Sequence, residues 1–166
     1  MKTYRITFGL LCSVLLSLLV MLSSCNDNDD DDDGPATPTA DIVTFKDAAL
    51  TGSQEVPPVT TQATGTFKGS YDKNTNRISY TITFQGITPI EMHFHSGAVG
   101  VDGPAIVPIN PGSDPYSGSN PFISPLVGTT APITEAQEAE LLAGNWYINI
   151  HSDQFREGEI RGQITQ

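Results

Sequence analysis

The stretch from Arg77 to Gln85 alternates apolar and polar side chains, and this alternation constrains the fold more than any other feature of the sequence. Its apolar members are Ile78, Tyr80, Ile82 and Phe84, and the residues between them are Ser79, Thr81 and Thr83. In a β-strand, successive side chains point to opposite faces, so this pattern predicts a strand with one buried and one wet face. Antiparallel sheets tolerate a wet face, whereas strands of a buried parallel sheet read as continuous apolar runs. The sequence therefore predicts an antiparallel β protein.

Other stretches of the chain carry similar strand signals. Residues 63–71 are predicted to pair with residues 77–85 across a turn-rich linker, and residues 42–50, 145–151 and 158–165 read as further strands. Residues 50–59 contain two prolines, which donate no ladder hydrogen bond, so we expect an edge or irregular crossing there. Trp146, Ile148 and Phe94 are expected in the core.

One short helix and one long loop complete the predicted domain. Thr134 and Gln137 have the spacing of a capping box, and the helix that they open is expected to stop at Gly144. Residues 97–133 are rich in Gly, Pro, Ser and Asn, interrupted by an apolar run at 105–109. A loop of this length is usually functional. The expected architecture is a mostly β antiparallel sandwich or barrel with one short helix and a long Gly/Pro-rich loop.

The first 24 residues are predicted to be an export signal rather than part of the fold. Lys2 and Arg5 provide a basic start, residues 8–21 an apolar run, and Leu22-Ser23-Ser24-Cys25 resembles a lipobox, in which the cysteine is acylated. Cys12 falls inside this segment, so the mature chain would keep only Cys25, and no disulfide could stabilise the domain. The expected anchor is thus a lipid on Cys25 in a bacterial outer membrane, and the acidic stretch that follows leaves exposure at the outer surface as an alternative.

Residues 25–40 are predicted to be an acidic, disordered tether. They include Asp27, a run of aspartates at 29–33, and a Pro/Thr-rich end, a composition that cannot bury enough apolar surface to fold. Its role is either a simple spacer or a surface-sorting signal. Removing two basic residues of the signal and six aspartates of the tether from the totals of 8 and 19 leaves residues 41–166 with 6 basic and 13 acidic residues, a net charge of −7. This charge argues against nucleic acid as a partner.

All three histidines fall in two of the predicted strands. His93 and His95 alternate with Met92 and Phe94, and His151 alternates with Ile148 and Ile150, so each histidine takes the polar side of its strand. If the strands are neighbours, the rings meet on a polar face outside the core. Neutral imidazoles from two strands suit copper or zinc, and three ligands leave an open position. The alternative is structural: the rings hydrogen-bond the long loop through Asp102, Asp114 or a backbone carbonyl.

Three charged residues near this face have plain interpretations. Glu159 and Arg161 are expected to point the same way on the last strand and to pair with one another or with a ligand; the simpler expectation is a surface ion pair, worth at most about 1 kcal/mol. Glu55 precedes two prolines and is expected either to accept hydrogen bonds from a turn or to be solvated. A phosphate-binding loop, a catalytic triad and paired catalytic carboxylates are not found in the sequence.

Several motifs in order resemble the CHRD (chordin) domain. They are the 50–59 segment, Ala63-Thr64-Gly65, His93-Phe94-His95-Ser96-Gly97 with Gly103-Pro104, residues 141–144, Tyr147 to His151, and residues 158–164. The resemblance covers the chain from about Leu50 to its end. It implies an immunoglobulin-like Greek-key β-sandwich over residues 41–166 and does not imply an enzyme.

A more distant likeness is to copper/zinc superoxide dismutases, in which a His-x-His strand and a late strand supply copper ligands. His93, His95 and His151 match those positions in type and order. Residues 97–133 contain no histidine, so the bridging ligand and the histidine part of a zinc site have no counterpart.

Two functions follow as hypotheses. The first is a lipid-anchored, non-enzymatic CHRD module of a cell envelope that binds an extracellular protein or glycan through its loop-covered face. The second is a superoxide-dismutase-like metalloprotein that binds copper or zinc through His93, His95 and His151, with dismutase catalysis not expected.

Overall fold

The alternating stretch forms the long strand that the sequence predicts, next to an equally long partner. The computed structural model describes residues 39–109 and 122–166. The strands described there are β1 (Ile42–Thr44), β2 (Ala48–Thr51), β3 (Thr64–Asp72), β4 (Arg77–Gln85), β5 (Pro89–Ser96), β6 (Ala105–Pro108), β7 (Leu126–Thr129), β8 (Trp146–Ser152) and β9 (Ile160–Ile164), with the helix α1 (Glu135–Leu142) between β7 and β8. The predicted signal segment, Cys25, nearly all of the predicted tether, and Asp114 lie outside the described residues.

The nine strands form one curled antiparallel sheet in the order β6-β5-β8-β9-β2-β3-β4-β7, with β1 pairing beside β2 on β3. Hairpins join neighbours such as β3 and β4, whereas β5 and β8 are far apart in sequence and adjacent in space. The mostly β antiparallel fold of the sandwich or barrel class is confirmed. Within the described residues, no helix is both long and apolar enough to cross a membrane.

An aromatic cluster fills the inside of the curled sheet. The ring of Phe94 contacts those of Phe67, Tyr80 and Trp146, with centroid separations of 5.9, 5.7 and 6.0 Å. The apolar side of β8 completes this layer with Ile148 and Ile150, both fully buried. The predicted core assignment of Trp146, Phe94 and Ile148 is therefore confirmed. Each of these residues alternates along its strand with a residue of the opposite face.

The predicted hairpin between β3 and β4 forms, with pairs that run from Thr64↔Gln85 to Asp72↔Arg77. A side chain stabilises its turn: the Asp72 carboxylate accepts hydrogen bonds from Asn74 N and Thr75 Oγ1. Asn76 has a φ of 56°, the left-handed conformation that asparagine tolerates better than most residues. The turn chemistry visible in the sequence thus fixes the register.

The capping box is also confirmed. Thr134 Oγ1 accepts from Gln137 N, and the Gln137 side chain accepts from Thr134 N. The helix buries Leu141 and ends before Gly144. Gly144 has a φ of 77°, a left-handed conformation that glycine adopts readily because it has no side chain.

The structure differs from the sequence-based strands at three places. The predicted strand 42–50 is two strands, because Thr44 pairs with Ser70 and Ala48 with Phe67, so four steps on one side match three on the other. β7, inside the predicted loop, was missed because its four residues are too few to show a period. The last strand starts at Ile160 rather than 158.

Candidate functional site: the histidine face of strands β5 and β8

The two histidine-bearing strands are direct neighbours, as the histidine pattern requires. In the β5–β8 register, His93 faces Asn149, His95 faces Tyr147, and His151 faces Glu91. His151 is therefore diagonal to His93, a separation that large side chains bridge. We call the outer surface formed by these two strands and β9 the histidine face. Its other members include Arg161 and Gln163, which pair in register with Asn149 and Tyr147.

The three imidazoles converge on one point of the histidine face. One ring nitrogen from each of His93, His95 and His151 lies within 4.8 Å of those of the other two. His93 Nδ1 and His151 Nε2 are 3.2 Å apart. The ring centroids are 5.8 Å apart for His93 and His95, and 5.1 Å apart for His93 and His151. The sequence-based prediction that these rings meet is thus reproduced in the geometry.

Two of the rings are held by backbone carbonyls. His95 Nδ1 lies 2.8 Å from Gly103 O, and His151 Nδ1 lies 2.8 Å from Arg156 O. A carbonyl only accepts, so in each ring Nδ1 carries the proton that is donated. In the neutral ring the other nitrogen, Nε2, then has a free lone pair. His95 Nε2 is buried and makes no hydrogen bond of ordinary geometry within the described part of the chain, although the nearby Asn149 side chain counters the fall in the pKa of His95.

The site is largely closed. His95 and His151 are only 8% and 7% exposed, and His93 is half-buried. Burial lowers the pKa of His93, and the neighbouring His151 lowers it further. Burial also lowers the pKa of His95, against the opposing effect of its hydrogen bond to Gly103. Both effects favour neutral imidazoles, the form that binds metals.

Residues 97–104, which we call the cover segment, close this face. Their carbonyls accept hydrogen bonds from three side chains of the sheet: His95 binds Gly103 O, Arg161 binds Ala98 O and Val101 O, and Gln163 binds Gly97 O. The long loop was expected to lie over the face, and its described part that does so is this short segment. The structural alternative in which a histidine hydrogen-bonds a loop carbonyl is realised for His95.

Tyr147 and Gly103 fix the position of the cover segment. The Tyr147 hydroxyl accepts from Gly103 N and lies 3.1 Å from Asp102 Oδ1. A Cβ at Gly103 would be 1.7 Å from Ser96 O, so a residue with a side chain cannot occupy this position without moving the strand or the segment. The Gly103-Pro104 pair in the sequence signals a close approach of the backbone at this point. The sequence does not indicate that Ser96 is the residue it approaches.

Arg161 does not form the predicted surface ion pair with Glu159. It is 2% exposed, and its guanidinium carbon lies 3.3 Å from the centroid of the Tyr147 ring, while its Nη2 donates to the cover segment. Glu159 is also buried and accepts a hydrogen bond of 2.6 Å from Thr61 Oγ1. The cover segment, which buries Arg161, was not visible in the strand pattern.

Glu55 is likewise buried rather than solvated. Its Oε1 has no hydrogen-bond partner among the residues described. Burial raises the pKa of Glu55 to about 7, although the positive charge of Arg161 opposes this rise. A Cβ at Gly158 would lie 2.6 Å from Glu55 Oε1, so the glycine makes room for the carboxyl group.

A cavity of about 420 Å³ opens beside the cover segment. Val56, Pro58 and Val99 contribute apolar wall, and Glu55 and Arg161 contribute polar wall. Val99 is 76% exposed although it belongs to a segment held by several hydrogen bonds. The site therefore combines an ordered apolar projection with a partly polar recess.

These features define a class of protein: an antiparallel β domain with a closed polar face that carries three histidines. A comparison with protein families matches the CHRD domain over residues 46–164, and the chain belongs to this family. Searches of curated proteins and of solved structures gave no match.

Proposed function

We propose that this chain is a lipid-anchored, non-enzymatic binding module of a bacterial cell envelope, which presents its CHRD domain to an extracellular protein or glycan. Membership of the CHRD family supports a binding or structural role in general. The observation that carries the proposal is the exposed Val99 at the mouth of a cavity, on a segment that the sheet holds in place. A fixed apolar projection is available to a partner without the entropic cost of ordering a loop.

The use of the polar side chains supports a binding role over catalysis. Arg161 and Gln163 direct their donors at carbonyls of the cover segment, and Tyr147 contacts Asp102 and Gly103 in it. These groups hold the shape of the surface. A partner would meet the valine and the recess beneath it, which together resemble the apolar centre and polar surround of a recognition site.

Replacing Val99 with serine is expected to weaken partner binding about tenfold, because a contact of valine size contributes about 1.5 kcal/mol when it is fully buried. The measurement is titration of the domain against the best-binding member of an array of purified glycans and extracellular proteins. Val127→Ser is the matched control, since Val127 is equally exposed but lies on β7. Equal losses in both variants, or an array with no binder, would refute the proposal.

Replacing Cys25 with serine is expected to abolish lipid attachment and to leave the protein unprocessed or soluble. The support for this anchor is the Leu22-Ser23-Ser24-Cys25 tetrapeptide that ends an apolar run. The measurement is detergent partitioning with fatty-acid labelling in a Gram-negative host. Cys12→Ser is the control and should keep both label and partitioning. Labelled, membrane-bound Cys25→Ser protein would contradict the anchor.

A further inference from the structure

The three histidines direct one ring nitrogen each at a common point, and their hydrogen bonds determine which of these nitrogens carry a proton. His151 Nδ1–H donates to Arg156 O, which leaves His151 Nε2 as an acceptor in the neutral ring. The 3.2 Å contact between this atom and His93 Nδ1 then requires that His93 Nδ1 carries a proton in the metal-free protein. His95 contributes Nε2, because its Nδ1 is bound to Gly103 O.

In the metal-free protein this arrangement leaves one buried ring nitrogen without a hydrogen bond. Buried polar atoms are nearly always hydrogen-bonded, and leaving one unpaired is destabilising. His95 Nε2 is such an atom, and it lies in the only cluster of three or more potential metal-binding side chains found in the described residues. A cation at the point shared by the three rings would satisfy this lone pair and that of His151 together.

The carbonyl contacts are the second feature expected of a metal centre. A ligating histidine commonly donates its remaining N–H to a backbone carbonyl or carboxylate, which fixes the tautomer and the ring direction. Gly103 O and Arg156 O play this part for His95 and His151. They come from the two segments that flank the site, the cover segment and the loop after β8, so both rings are oriented by backbone rather than by mobile side chains.

We propose that His93 Nδ1, His95 Nε2 and His151 Nε2 bind one Cu²⁺ or Zn²⁺ ion, with the remaining coordination position open to water or an external ligand. Three imidazole nitrogens suit both ions, and the general order of affinities places Cu²⁺ above Zn²⁺. This site lies beneath the cover segment and is independent of partner binding at Val99.

The distances are compatible with this ion after a small closure. Bonds of about 2.0 Å place neighbouring ligand nitrogens about 3.3 to 4 Å apart. The His93–His151 pair is already at 3.2 Å, and the widest pair of the cluster is within 4.8 Å. Binding requires His93 to move its proton from Nδ1 to Nε2, so the ring stays neutral and no proton is lost overall. The hydrogen bond between His93 and His151 is replaced by two bonds to the ion.

The test is Cu²⁺ and Zn²⁺ titration of the metal-free full chain, with elemental analysis after dialysis. We expect one ion per chain and tighter binding of Cu²⁺. His93→Gln, His95→Gln and His151→Gln should each weaken binding by more than about 100-fold, beyond the range for loss of an outer-shell partner. Glu135→Gln is the control, because Glu135 is exposed at the start of α1, and its replacement removes a negative charge away from the histidines. Its affinity should equal that of the unaltered chain.

Two outcomes would overturn the proposal. One is less than half an equivalent of either metal in the unaltered chain after loading. The other is unchanged binding when all three histidines are replaced, which would assign the metal to the acidic residues 27–33. If a single variant fails to fold, the electron paramagnetic resonance spectrum of the copper-loaded unaltered chain decides: couplings from nitrogen ligands support the site, and an oxygen-only spectrum overturns it.

Discussion

Replacing Arg161 with alanine is expected to lower the free energy of unfolding by about 3 kcal/mol, because a hydrogen bond to a charged group contributes about 1.5 to 3 kcal/mol. Arg161 is fully enclosed between the Tyr147 ring and the cover segment. Its positive charge offsets part of the rise that burial causes in the pKa of Glu55. The variant would leave the carbonyls of Ala98 and Val101 without this donor and would leave the Glu55 carboxyl group without a nearby cation. Chemical denaturation at pH 7 measures the change.

Arg156→Ala is the control for this experiment. Arg156 pairs with Asp153 at 2.7 Å, but its side chain is 69% exposed, and such surface pairs contribute about 0 to 1 kcal/mol. The ring of His151 binds the backbone carbonyl of Arg156, which the substitution keeps. A loss below about 1 kcal/mol in Arg161→Ala, equal to that of the control, would show that Arg161 does not hold the cover segment.

Replacing Glu55 with glutamine is expected to stabilise the domain at pH 8 by up to about 3 kcal/mol and to leave its stability unchanged near pH 4.5. The pKa of Glu55 rises from an ordinary 4.5 to about 7 on folding. Between these values the folded state binds more protons than the unfolded state, so stability is lost as the pH rises through this window. A shift of about 2.5 units corresponds to about 3 kcal/mol at 1.36 kcal/mol per unit. Glutamine cannot ionise and avoids this loss.

Urea unfolding from pH 4 to pH 8 measures the effect. Glu157→Gln is the control, because Glu157 is exposed and lies in the loop after β8. It should follow the pH dependence of the unaltered chain. If Glu55→Gln follows it too, the Glu55 carboxyl group is solvated, and its burial in the folded domain is contradicted.

The strand periods predicted most of the fold. Alternation in residues 77–85 and 146–151 identified two strands and their core faces, and the Asp72 to Asn76 turn signalled the hairpin between β3 and β4. These features are local, since they depend on the pleat and on turn conformations. β7 could not be predicted, because it is a four-residue edge strand whose pairing with β4 is a tertiary contact.

The position of the histidine cluster was predictable from the sequence, but the hydrogen-bond partners of its rings were not. The spacing of His93 and His95 and the place of His151 on its strand fixed their shared face. Their hydrogen-bond partners are carbonyls of Gly103 and Arg156, and every residue has a carbonyl, so side-chain identity gives no signal for them. The same reason explains why Arg161 was expected at the surface: the cover segment that encloses it binds through its backbone.

The central claim is that backbone carbonyls orient the imidazoles of His95 and His151 so that their unprotonated Nε2 atoms lie close together beside His93. The most direct test is a long-range ¹H–¹⁵N correlation spectrum of the imidazole nitrogens in the metal-free full chain near neutral pH. The account predicts that His95 and His151 carry their ring protons on Nδ1. Protons on Nε2 of either ring would contradict it, because the nitrogen assigned to the metal would then be occupied.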